Sequence, residues 1–231
     1  MCGTVAGLAS VVSYPALLAA GLTPLAANVT NTTAMLAGTL GAAAGSRPEL
    51  AGQGRRVLVL CAQTALGGVA GAALLLGSPD GSFEVVVPWL VAAGALLLLA
   101  RDRLRAWAAA SAASGTGRSR RVLAVVVTGM YAGYFGAGAG IIMLAVLPLR
   151  DREPLRVTNA VKNMTTGCAN IVAGIAFLFV APVDLGAAAA LGSGAVIGGW
   201  FGPRLVRVLP ERPLRYAIGV AGLCLAVVLA S

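Results

Sequence analysis

Long runs of apolar residues follow one another along this chain, and short polar segments separate them. Each run is about 20 residues long, the length at which an α-helix crosses the hydrocarbon core of a bilayer. The runs fall at about 3–22, 25–44, 57–77, 85–100, 122–149, 157–181, 185–203 and 214–230. The pattern therefore predicts an all-α integral membrane protein with about eight hydrophobic segments.

The fifth segment is longer than the others and is interrupted by glycines. Gly133, Gly136, Gly138 and Gly140 follow one another closely in its middle, and glycine is, after proline, the residue that least favours a helix interior. The spacing predicts a break in this helix. The first segment, which has Gly7 near its start, is expected to be broken in the same way.

The two halves of the chain resemble each other when one is shifted by 131 positions along the other. The positions that coincide are Gly7 with Gly138, Asn28 with Asn159, and Gly67 with Gly198. The order of features is also the same: a glycine-rich stretch, a polar cluster and a GGxxG element. The predicted units are a first transmembrane repeat at 1–100, a basic cytoplasmic linker at 101–121 and a second transmembrane repeat at 122–231.

Loop charges indicate that the two repeats have opposite orientations. The loop after the second segment carries Arg47, Arg55 and Arg56, whereas the equivalent loop after the sixth carries only Asp184. Because basic loops stay in the cytoplasm, equivalent segments are expected to run in opposite directions. This is the inverted repeat that many secondary transporters share.

Basic linkers flank the fifth segment on both sides, and a single crossing cannot keep both in the cytoplasm. One topology that satisfies every loop charge has six full crossings, with the first and fifth segments as re-entrant broken hairpins. Irregular backbone at that depth is tolerated where protein or a cavity surrounds it. The alternative is eight plain spans, with one linker that violates the charge rule.

Composition supports a membrane protein and argues against several other classes. Hydrophobic residues make up 58% of the 231 residues and charged residues 11%, against about 25% charged residues in soluble domains. The net charge of +9 comes from arginines between the segments, so orientation in the bilayer explains it better than nucleic-acid binding. Four cysteines without CxxC spacing, and no histidine, argue against a metal or redox site, so no cofactor is expected. The sequence shows no nucleophile–base pair, metal-ligand cluster or phosphate loop, which argues against an enzyme.

The sixth segment holds the only lysine of the chain, Lys162, within a polar stretch. Lys162, Asn163, Thr166 and Asn170 follow Asn159 at i+3, i+4, i+7 and i+11, so all five share one helix face. A polar stripe with a cation inside a membrane helix normally faces the protein interior or a watery cavity. A cation among amides and hydroxyls suits a small anion, so substrate binding is predicted for Asn159, Lys162, Asn163 and Thr166.

The repeat adds a second polar cluster, which symmetry places opposite this stripe near the midplane. Its members are Asn28, Thr30, Asn31 and Thr32. The glycine break is expected to present backbone N–H groups to the anion, at Gly136, Gly138 and Gly140. Two other interpretations stay open: the Asn and Thr side chains pair between helices, and Lys162 extends along its helix to the membrane surface.

Several of these stretches resemble the sulfite exporter TauE/SafE family of membrane permeases. The resemblance lies in residues 3–18, 25–32, 133–140, 159–163 and 198–205 and extends over nearly the whole chain. It implies a plasma-membrane transporter of sulfite or related sulfur-containing anions, built from two similar halves. The N-terminus is shorter than in such proteins, so the first hairpin is expected to be incomplete or the start site misassigned.

The residues and the resemblance together predict a transporter, expected to be an exporter, for a small sulfur-containing anion such as sulfite or an organosulfonate. The expected partners are this anion and the lipid bilayer, with no nucleic acid and no cofactor. The alternatives are a gated anion channel, a permease for non-sulfur carboxylate anions, a membrane enzyme and a scaffold subunit. The sequence leaves open the coupling ion and the oligomeric state, and it is compatible with a homo-oligomer.

Overall fold

A computed structural model describes residues 9–79, 81–100, 103, 118–147, 155–205 and 227. These residues form nine helices and no strand, which confirms the all-α prediction. The helices are α1 (Ala9–Ala19), α2 (Pro24–Gly45), α3 (Arg47–Leu50), α4 (Gly54–Leu76), α5 (Ser82–Leu99), α6 (Arg118–Tyr134), α7 (Ala139–Val146), α8 (Leu155–Val180) and α9 (Leu185–Leu205). The predicted last segment lies outside the described residues except for residue 227, and so does most of the predicted linker.

Exposed side chains are largely apolar and many buried ones are polar, the reverse of a soluble protein. On α4, Leu58 and Leu66 are 70% and 68% exposed, whereas Thr64 is fully buried. On α2, the buried side chains are largely Asn and Thr. Two helices, Gly54–Leu76 and Arg156–Val180, are long and apolar enough to cross a membrane. The structure therefore agrees with a membrane protein whose polar groups face inward.

Helices α4 and α8 pack closely and run in the same direction. The hydroxyl of Thr64 on α4 donates a hydrogen bond to the backbone carbonyl of Thr165 on α8, at 2.7 Å. Four residues further along each helix, Gly68 lies against Ala169, where an added Cβ would be 2.8 Å from the carbonyl oxygen. Residue numbers rise together along the contact, so the two helices are parallel.

Helix α6 also runs parallel to α4. Gly67 of α4 packs against Val126 of α6. One turn further along both helices, Gly71 packs against Met130. The N-terminal ends of α4, α6 and α8 therefore lie at one end of the protein. Six arginines occupy the first turns of these helices: Arg55, Arg56, Arg118, Arg120, Arg121 and Arg156. We call this end the arginine end.

The two helices that carry the predicted polar clusters, α2 and α8, cross in opposite directions. Thr39 of α2 lies against Gly167 of α8, whereas Thr33 donates a hydrogen bond to the carbonyl of Gly174 at 3.5 Å. Residue numbers fall along α2 as they rise along α8. The C-terminal end of α2 is thus the one nearer the arginine end.

The predicted interruption of the fifth segment is present, between α6 and α7. Gly136 and Gly138 have φ angles of 81° and 82°, a left-handed backbone that glycine adopts without steric cost. Beyond the break α7 doubles back: Val125 of α6 clusters with Met143 of α7, and Ala132 clusters with Ala139. The segment is therefore a helical hairpin with the glycines at its tip. Helix α6 begins at Arg118, before the predicted boundary at 122, since arginine favours helix.

Replacing Gly136 with alanine should destabilise this hairpin by about 1–2 kcal/mol, because a Cβ is strained at positive φ. The added Cβ would also lie 3.1 Å from the Ala132 carbonyl oxygen. Gly136→Asn should cost less, since asparagine tolerates the left-handed region better than other residues. Thermal unfolding of the purified variants in detergent measures the difference. An equal cost for Ala and Asn would mean that crowding, rather than backbone conformation, requires the glycine.

Candidate functional site

A cavity of about 120 Å³ lies where α1, α2, α8, α9 and the α6–α7 break meet. A single water needs roughly 10–15 Å³ of such space, so the cavity has room for several waters or a small anion. Its lining comprises Ser10, Met35, Gly38, Thr39, Ala42, Gly136, Ala139, Gly140, Lys162, Asn163, Thr166, Gly167, Asn170, Ala195, Gly198 and Gly199. Both predicted halves of the chain contribute to it.

The polar face of α8 forms one wall of the cavity. Lys162, Asn163, Thr166 and Asn170 all line it, and Asn159, less than one turn before Lys162, does not. The helical spacing of the stripe therefore holds, and its face points at a cavity as expected for polar groups in a membrane helix. One hydroxyl is already engaged, because Thr166 donates a 2.9 Å hydrogen bond to the Lys162 carbonyl. In that rotamer its oxygen can only accept a bond from a ligand.

Lys162 is one of the largest fully buried side chains among the described residues, with 1% of its surface exposed. A lysine that snorkels would keep its ammonium in water, so the interpretation that Lys162 reaches the membrane surface is wrong for this structure. The Thr165 and Thr166 hydroxyls both donate to its backbone carbonyl oxygen at 2.9 Å. The side chain of Lys162 thus lies buried at the wall of the cavity.

The glycine break supplies a second wall. Gly136 and Gly140 line the cavity, and Gly138 does not. Asn170 approaches this wall from α8, since its Oδ1 is 3.8 Å from where a Cβ on Gly136 would lie. Helix α7 begins here, and its first residue, Ala139, also lines the cavity. The partial positive charge of a helix N-terminus favours an anion at such a position.

The polar cluster of α2 is buried and lies outside the cavity lining. Asn28 Nδ2 donates to the Tyr134 carbonyl at 2.9 Å, and Thr30 Oγ1 accepts a 3.0 Å bond from the backbone N–H of Asp184. Asn31 accepts a hydrogen bond from the Ser13 hydroxyl, and Thr32 is 3% exposed. The polar face of α8 thus lies at the cavity, whereas the α2 cluster is buried between helices and hydrogen-bonds to neighbouring elements.

Sequence reasoning missed several lining residues. Met35 and Thr39 follow Asn31 at i+4 and i+8, so extending that helix face by two turns would have found them. Gly198 and Gly199, in the GGxxG element of the second half, line the cavity, and Gly199 also packs tightly on α2. Ser10 and Ala195 carry no pattern that marks them.

The charge balance of the lining decides which ligands suit it. Among the described residues that line the cavity, Lys162 is cationic, Asn163 and Asn170 carry amides, and none has a carboxylate. Nowhere in the described part of the chain do three His, Cys, Asp or Glu side chains gather into a metal site. Amide and ammonium donors around a small space suit an anion with oxygen acceptors.

Comparison with known proteins gives one result. The model of the family described as Sulfite exporter TauE/SafE matches residues 1–229 of the chain. Searches of curated proteins and of solved structures found no match.

Proposed function

The chain belongs to the sulfite exporter TauE/SafE family, a family of membrane transporters, and from this premise we propose that it exports a small sulfur-containing anion. Sulfite and short organosulfonates are the candidate substrates. The anion binds in the cavity beside Lys162, with Asn163, Asn170 and the N-terminus of α7 as further donors. An anion permease for carboxylates would use the same donors, so the choice between the two rests on the family.

One observation supports the anion site most strongly: a buried lysine on a cavity wall without a carboxylate among its described lining residues. A charge inside a membrane protein is costly and is retained where it serves the transported ion. The cavity volume of about 120 Å³ suits an oxyanion with few heavy atoms rather than a large metabolite.

Helix packing supports the proposed inverted repeat. The helices with the polar clusters, α2 and α8, cross antiparallel, as equivalent helices of an inverted repeat do. The Gly68–Ala169 contact of α4 with α8 has a counterpart in the contact of Gly199 with Gly38. A shift of 131 positions takes Gly68 to Gly199 and Gly38 to Ala169. The two contacts are therefore equivalent, with the first and second halves exchanged.

The hairpin of α6 and α7 supports the re-entrant topology. Helices α6 and α8 both run away from the arginine end, so the chain returns to that end between them, and α7 is the segment that doubles back. The pair α6–α7 therefore makes no net crossing. Six full crossings and two re-entrant hairpins remain our proposal, and Gly7, at the predicted break of the first hairpin, lies outside the described residues.

Orientation follows from the arginines. By the positive-inside rule the arginine end is cytoplasmic. Lys162 lies six residues after Arg156, about 9 Å along the helix axis at 1.5 Å per residue, so the cavity is on the cytoplasmic side of the centre. An exporter loads its substrate from that side.

Thermal unfolding of the purified protein with a panel of anions tests the substrate class. The panel contains sulfite, sulfate, thiosulfate, sulfoacetate, acetate and chloride. At a hundredfold excess over Kd, a ligand stabilises the folded state by about 2.7 kcal/mol, which is roughly 5–10 °C for a chain of this size. We expect sulfite or sulfoacetate to give this shift. A shift with acetate alone would favour a carboxylate permease, and no shift with any anion would contradict the site.

Counterflow in proteoliposomes separates a transporter from a gated channel. Vesicles loaded with unlabelled anion should accumulate labelled anion transiently, because a carrier exchanges the two through one site. Conduction without this exchange would favour the channel.

A further inference from the structure

The polar cluster of α2 lies beyond the floor of the cavity, on the side away from the arginine end. The α2 residues that line the cavity are numbered 35 to 42, and Asn28 and Thr30 precede them. Because the C-terminal end of α2 is nearer the arginine end, Asn28 and Thr30 are farther from it than the cavity is. The contact of Thr33 with Gly174 marks the boundary, since Asn170 is the last α8 residue in the lining.

Hydrogen bonds in this layer join the first half of the chain to the second. Asn28 bonds the carbonyl of Tyr134, at the tip of the hairpin, at 2.9 Å. Thr30 accepts from the N–H of Asp184, in the turn between α8 and α9, at 3.0 Å. Both side chains are fully buried. Water therefore does not reach either side chain in this arrangement.

Asn28 satisfies only part of its hydrogen-bonding capacity in this arrangement. Its Oδ1 is buried and has no partner among the described residues. Turning the amide over would set its oxygen against the Tyr134 carbonyl, two acceptors face to face. An unsatisfied buried oxygen weakens the closed layer, and water would satisfy it once the halves separate. The hydrogen bonds of this layer thus hold the two halves together, while the unsatisfied Asn28 oxygen makes their separation easier.

We propose that Asn28 and Thr30 form a gate that closes the cavity on the side opposite the arginine end. The gate opens during transport by breaking both inter-half hydrogen bonds. This proposal rests on the proposed transport function and gives the α2 cluster a gating role, where the sequence predicted substrate contacts. The transported anion meets Lys162 first and passes the Asn28 layer on leaving.

A reversible cross-link across the gate tests the proposal. Thr30→Cys and Asp184→Cys are introduced together after Cys2, Cys61, Cys168 and Cys224 are replaced by alanine. Oxidation should link the halves, and if no disulfide forms directly a bis-methanethiosulfonate reagent replaces the oxidant, because dithiothreitol also cleaves the two disulfides that it makes. We expect anion flux in proteoliposomes to fall at least tenfold, the anion-dependent thermal shift to persist, and dithiothreitol to restore the flux.

Three controls separate the gate from the proposed function. Each single cysteine variant should show the same flux with and without oxidant. Undiminished flux in the fully cross-linked protein would overturn the gate and leave the anion site intact. A cysteine-free parent that neither binds nor transports any anion of the panel would instead overturn the proposed function.

A second variant tests the gate without a cross-link. In right-side-out vesicles, Thr30→Cys should react slowly with a membrane-impermeant thiol reagent, because the closed layer buries it. Thr30→Cys already replaces one of the two bonding side chains of this layer, so adding Asn28→Ala removes the other, and labelling should then speed up at least tenfold. Equal labelling rates with and without Asn28→Ala would contradict a gating role for Asn28.

Discussion

Replacing Lys162 with alanine is expected to abolish anion binding while leaving the protein folded. Truncating one partner of a desolvated charge pair costs about 2–5 kcal/mol, and each 1.4 kcal/mol is a tenfold change in affinity, so Kd should rise about 30-fold or more. The unliganded protein should stay folded, because Lys162 borders a cavity and its loss removes a buried cation. Anion-dependent thermal shifts and equilibrium binding of labelled anion measure both effects.

Two further variants show whether the charge of Lys162 and its position are what matter. Lys162→Met keeps most of the side-chain volume without the charge and should lose binding as fully as alanine. Arg156→Ala removes the same charge six residues earlier, from an exposed position at the arginine end, and should change Kd less than about threefold, since exposed charges are screened. An unchanged thermal shift in a folded Lys162→Ala protein would contradict the proposed site.

The location of Lys162 could be predicted because of a strong physical constraint. Amides and a cation in an apolar helix cannot face lipid, so the i, i+3, i+4 spacing was enough to show which face of α8 points inward. Asn28 also has to avoid the lipid, yet it is buried against another helix and does not line the cavity. Its Nδ2 donates to a neighbouring backbone carbonyl instead, and the neighbour, Tyr134, is far away in sequence.

The break in the fifth segment could be predicted for a similar reason. Gly136 and Gly138 mark it, and basic linkers on both sides of the segment favour a chain that returns over a single crossing. The remaining walls of the cavity could not be found from the sequence, because Ser10, Ala195 and Gly198 contribute small side chains or bare backbone. Such residues occur throughout membrane helices, and only the three-dimensional packing selects the ones that border a cavity.

Gly71→Ala is expected to be among the most destabilising single-methyl changes in α4. The added Cβ would lie 2.0 Å from the Met130 carbonyl oxygen and 2.8 Å from the Tyr134 nitrogen, distances at which backbone atoms overlap. Neither atom belongs to a side chain that could rotate away, so α4 and α6 must separate. Overpacking of this kind costs about 1–3 kcal/mol, and we expect the upper end of that range because the obstacle is backbone.

Gly54→Ala is the matched control, since it adds the same methyl group to the same helix where no heavy atom lies within 4 Å. Alanine favours a helix by up to about 1 kcal/mol over glycine, so this variant should be neutral or slightly more stable. The comparison of the two melting temperatures in detergent therefore isolates the helix contact from helix propensity. Equal melting temperatures would show that α4 and α6 can move apart freely, and the parallel packing that places the arginines at one end would then contribute little to the stability of the fold.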